Sequence, residues 1–197
     1  MKRIFAALLA LTLILGAAQA QEDIFAVTPT PTASGGGVGL SIAEYTYATT
    51  GNATLGVRFA YPSHWEMTPG RRTICYEEPV AEGDIPARMA VSVKQLEDRA
   101  DEDDMDSELS AFMRAVFTQY DSYEIGNLMT DTSFMGKTGY STIYRGYRGD
   151  QAVQGSVIMA AVGTKIYAFH FSADANDYDA MTQVMEYLRN SVEADNA

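Results

Sequence analysis

Apolar and polar residues alternate along most of this chain, and the period changes at two places. Residues 44–49 (Glu-Tyr-Thr-Tyr-Ala-Thr) alternate and are rich in strand formers, so they predict a first strand. Gly51-Asn52 predicts a turn. Leu55, Val57, Phe59 and Tyr61 then fall on one face of a second strand, which Pro62 ends. Residues 73–77 and 88–96 predict two more, the latter with Met89, Val91 and Val93 facing one way.

Helical spacing follows. Leu109, Phe112, Met113, Val116, Phe117 and Tyr120 recur every three or four residues, with Asp104 or Asp106 as a cap. Strand signals return near 123–129, at 136–148 and in a hairpin of 153–162 with 165–172 around Gly163-Thr164. A second helical stripe closes the chain over about 176–192, carried by Tyr178, Met181, Val184, Met185, Leu188 and Val192. Hairpin connections and the lack of strict strand–helix alternation predict an α+β domain. Residues 153–162 are apolar on both faces, which a covered central strand explains. The expectation is one mainly antiparallel sheet flanked by a helix on each face.

The two ends differ in character. Lys2 and Arg3, an apolar run from Ile4 to Leu15 and Ala18-Gln19-Ala20 form the three parts of a secretory signal. The run is shorter than the roughly 20 residues that span a bilayer. Residues 1–20 are thus expected to be cleaved, leaving a soluble chain in the extracellular or periplasmic space without a membrane span. Residues 21–42, with Thr28-Pro29-Thr30-Pro31-Thr32 and Gly35-Gly36-Gly37, predict a linker, and 43–197 a single domain.

Without Lys2 and Arg3, 12 basic residues face 26 acidic ones, a net charge of −14. Such a surface repels nucleic acid and suits cations or basic partners. Cys75 is the single cysteine, so no intramolecular disulfide can form. Its place in a strand reads as a buried small side chain.

At this point the pattern resembles the Mog1/PsbP-like superfamily, including bacterial PsbP-related exported proteins. The resemblance rests on Val57-Arg58-Phe59-Ala60-Tyr61-Pro62-Ser63-His64-Trp65, on the helix near 106–120, and on Lys165-Ile166-Tyr167-Ala168-Phe169-His170-Phe171-Ser172 before the last helix. It covers about 44–192. It implies an αβα sandwich and a non-enzymatic role in binding or assembling protein partners, with no cofactor and no shared catalytic residues.

Candidate chemistry is sparse. Asp98, Asp101, Glu102, Asp103, Asp104 and Asp106 form the densest acidic run, and Asp101, Asp103 and Asp104 are weak candidates for calcium. The EF-hand pattern fails: counting from Asp101, loop positions six and twelve are Asp106 and Phe112, not glycine and glutamate. A solvated helix start explains the same acids. His64 and His170 lack metal-ligand spacing, and no Gly-x-Ser-x-Gly elbow anchors a hydrolase triad. Tyr61, His64 and Trp65 read first as the cap of a core and second as the wall of a small-molecule or peptide pocket. Tyr144, Arg145 and Arg148, with Tyr140 and Tyr147, could present a docking face to a partner, or simply pair across strands in solvent. A binding or interaction module of unknown ligand is the first reading. A secreted hydrolase near His64 and Trp65, or a calcium-dependent envelope protein, are the alternatives.

Overall fold

The first hairpin shows how local chemistry sets the frame. In a computed structural model of the chain, residues 42–98 and 102–195 are described. The predicted signal, nearly all of the linker, and Asp101 lie outside them. Strands β1 (Tyr47–Asn52) and β2 (Val57–Pro62) pair antiparallel. Gly51 and Asn52, predicted as the turn, are the last rungs of this ladder, opposite Arg58 and Val57. The chain turns after them. The Asn52 carbonyl accepts the Gly56 N–H at 2.8 Å and its side-chain oxygen accepts the Leu55 N–H at 2.9 Å. Gly56 has φ 65°, a conformation that costs a side-chain-bearing residue energy.

Beyond it come β3 (Glu66–Pro69), β4 (Thr73–Glu77), β5 (Arg88–Gln95) and α1 (Glu102–Phe117). Then follow β6 (Ser122–Ile125), β7 (Met129–Phe134), β8 (Lys137–Arg148), β9 (Gln151–Val162), β10 (Lys165–Asp174), α2 (Thr182–Asn190) and β11 (Glu193–Ala194). Every strand pairing is antiparallel. The single sheet expected from sequence is two sheets among the described residues. Strands β1-β2-β11 form a small one, and β3-β4-β5-β10-β9-β8-β6, with β7 beside β8, the large one.

Side chains alternate across the central strands. Val157 and Met159 of β9 and Ile166 and Ala168 of β10 cluster with Met105, Leu109, Met113, Val116 and Phe117 of α1. Their neighbours Ile158, Ala160, Tyr167, Phe169 and Phe171 cluster with Val184 and Leu188 of α2, with Val57 and Phe59 of β2, and with Trp65. The apolar stripes predicted for both helices are thus the ones that pack.

Helix ends differ from expectation. Helix α1 starts at Glu102, so Asp104 and Asp106 lie within its opening turns rather than at its cap. Helix α2 starts at Thr182, not near 176. The Asp174 carboxylate accepts hydrogen bonds from the Asn176 backbone and side-chain N–H groups at 2.8 and 2.9 Å, which holds that stretch as turns. Tyr178 and Met181 are buried all the same.

Candidate functional site: a cleft, a sealed polar centre and an open sheet edge

Tyr61 and Trp65 belong to the core. Tyr61 stacks on Tyr76 with ring centres 3.9 Å apart. Trp65 is 4 % exposed and lies against Phe171 at 6.5 Å, its indole N–H without a partner. His64 is exposed and stacks on Tyr45 at 5.5 Å. These three residues therefore do not form one pocket wall.

A cleft of about 530 Å³ is lined in part by Tyr45, the ring on which His64 stacks. Ile85, Ala87, Ala173 and Met181 contribute apolar surface to it, and Glu44, Glu78, Asp174 and Asp177 contribute carboxylates. Burial pushes the Tyr45 hydroxyl up to about 12, and the charges of Glu78 and Glu44 add to the shift. Sequence reasoning missed this cleft, because its lining comes from four separated stretches.

The strongest polar constellation is buried beneath α1. Tyr144, 2 % exposed, shares a hydrogen bond with His170 Nε2 at 2.7 Å and another with the Tyr120 hydroxyl at 3.3 Å. Burial, with Arg88 adding like charge, lowers the His170 pKa to about 3, so the imidazole is neutral. Burial likewise raises the Tyr144 hydroxyl far above the usual phenol range. Cys75 is buried, and Arg88 Nε donates to its sulfur at 2.8 Å. Burial raises the thiol while Arg88 opposes that shift. This chemistry suits holding a helix on a sheet rather than moving protons near neutral pH.

Two glycines make room for the rings. A Cβ on Gly155 would stand 2.5 Å from Tyr144, and one on Gly146 2.6 Å from the Tyr120 ring. Gly155→Ala is therefore expected to lower stability by about 1–3 kcal/mol through overpacking. A urea midpoint shifted down at unchanged slope checks this.

Burial of Tyr144 removes it from any docking face. Arg145, next in a strand, points to the opposite face, is exposed, and donates to Gln154 at 3.1 Å. Arg148 returns to the Tyr144 face, where its guanidinium sits 5.2 Å from the centre of the Tyr120 ring and donates to Gln119 at 2.7 Å. The three do not share one surface. Asp104 is exposed on α1. The Asp103 side chain, like Asp101, lies outside the described residues. Among the described residues no three His, Cys, Asp or Glu side chains are placed to hold a metal ion.

The exposed apolar surface is elsewhere. Of seven large apolar side chains exposed among the described residues, five lie at one end of the large sheet: Tyr123 and Ile125 on the face of Tyr144, Met129 and Ile143 on the opposite face, and Leu128 between β6 and β7. Strands β6 and β7 run in succession along β8, and among the described residues their pairings are with β8. Tyr123 is anchored by stacking on Phe117 at 3.7 Å, yet remains 52 % exposed. Both edges are short: β3 and β6 have four residues each, β3 ends on Pro69, and the β7–β8 register shifts between Met129 and Thr132.

No family model and no curated protein matches the chain. Solved structures do. The solution structure of cyanobacterial PsbP from Synechocystis aligns with a TM-score of 0.61 at 18 % identity, covering 84 % of this chain and 99 % of that one. The fold is PsbP-like. A Bacteroides thetaiotaomicron protein matches with a TM-score of 0.51 at 11 % identity over 74 % of this chain, which spans 47 % of that longer protein. A Mog1 variant aligns at 0.49 and 8 % identity over 71 % of this chain and 90 % of its own. The PsbP-like fold comprises a mostly antiparallel sheet system and two helices. Among the described residues, no helix is long and apolar enough to cross a membrane.

Proposed function

We propose that this chain is an exported, non-catalytic interaction module that takes up an extended segment of a partner protein along the β6–β7 edge. The carrying observation is that five of the seven large exposed apolar side chains among the described residues lie along one sheet edge, on both of its faces. Such edges offer backbone N–H and C=O groups to an added strand, and the side chains supply specificity. The net charge of −14 after signal removal opposes docking of a second copy and favours a neutral or basic partner. In this reading residues 1–20 are removed, 21–42 tether the domain, and 43–197 form an αβα sandwich with one helix over each face of the large sheet. The buried, neutral His170 and the buried Cys75 support a binding role over a catalytic one.

Selection from a displayed library of random peptides, counter-screened against an Ile125→Lys/Met129→Lys variant, tests the reading. Enriched peptides are expected to carry apolar residues at alternate positions and to bind the variant at least about tenfold more weakly, as loss of a central interface anchor does. Peptides that bind both proteins equally, or no enrichment, contradict it.

A further inference from the structure

We propose that the cleft beside Tyr45 is a binding site for an organic cation, an ammonium or guanidinium group on an apolar stem. It lies apart from the β6–β7 edge, so it stands or falls independently of the docking reading. Its volume of about 530 Å³ is that of a small-ligand pocket.

Three features define the ligand. Glu44, Glu78, Asp174 and Asp177 all line the cleft, and no basic side chain lines it. An anion would meet repulsion there, and low-dielectric walls strengthen the attraction for a cation. The Tyr45 ring adds a face of negative potential, and stacking on His64 fixes its plane. The half-buried Ile85 and Ala180, backed by the buried Ala87, Ala173 and Met181, offer an apolar surface that a hydrated inorganic ion would not use but a methylene chain would. The carboxylates are spread around the cleft: among the described residues no three acidic or histidine groups converge on a metal position. Charge dispersed around an apolar floor matches an alkyl cation better than a point ion.

That chemistry can come from a free amine or from a lysine or arginine side chain of a peptide. Calorimetric titration of the full mature protein with 1,5-diaminopentane and with N-acetyl-lysine methylamide separates the sources. Pentanol serves as the uncharged control. Saturable binding of either amine, absent for pentanol and weakened by added salt, is the expected result. A diamine preference assigns the site to free amines, and a lysine-amide preference to peptide side chains. Glu78→Gln/Asp177→Asn is expected to weaken binding by about tenfold or more through loss of two facing charges. Ala180→Phe, which fills the cleft and keeps its charge, is expected to abolish it. Absence of saturable binding by both amines, or binding unchanged in both variants at unaltered melting temperature, overturns the proposal.

Discussion

Trp65→Ala lowers the stability of the domain by about 3–5 kcal/mol, the cost of deleting a buried aromatic side chain. Trp65 is 4 % exposed and packs on Phe171, which is fully buried between β9 and β5. Its backbone N–H is bonded to the Pro62 carbonyl at 2.9 Å, so the loop after β2 holds the ring in place. Truncation leaves a cavity that this tied loop cannot refill. Trp65→Phe is expected to cost far less, because the indole N–H it removes is buried without an acceptor. Urea unfolding of the three proteins checks both values. A Trp65→Ala cost below about 1 kcal/mol would mean that the ring serves a pocket rather than the core.

Acid weakens the fold through His170. The folded state holds this imidazole neutral with its pKa lowered to about 3, whereas an unfolded histidine titrates near 6.5. Below 6.5 the unfolded chain therefore binds the extra proton, and stability falls with pH. The loss is about 2 kcal/mol between pH 6.5 and 5 and about 4 kcal/mol by pH 3, where the folded state begins to take up the proton as well, at up to 1.36 kcal/mol per pH unit. Above 6.5 both states are neutral and the contribution is complete. Protonation would also place a second positive charge against that of Arg88. His170→Gln starts less stable at pH 7. Its stability is expected to decline less steeply between pH 7 and 5, where few carboxylates titrate. Parallel slopes for the two proteins would show that His170 reaches solvent in the folded state.

Where the chain's own period carries the information, the sequence was readable. The stripes of both helices and the alternation of β2, β5, β9 and β10 correspond to the two apolar clusters. Strand β3 was not readable, because Glu66-Met67-Thr68-Pro69 has no alternation and is extended by pairing with β4. Strand β11 is two residues that pair with β2 across more than a hundred residues of chain, and it belongs to the second sheet. The sites depended on the same long-range facts. A strand near 123–129 was legible, but its place at an edge is a property of strand order. Tyr144 and Arg145 looked like one docking set, yet adjacent strand residues face opposite ways. The bond from Tyr144 to His170 and the lining of the cleft join segments that no local motif connects.

Amide hydrogen exchange of the protein, with and without a peptide selected on it, tests the central claim most directly. Added-strand docking predicts slowed exchange at alternating amides within Ser122–Phe134, those not already bonded to β8, with β3 unchanged. Slowing confined to β3, or to the cleft around Tyr45, with β6 and β7 unaffected, would contradict it.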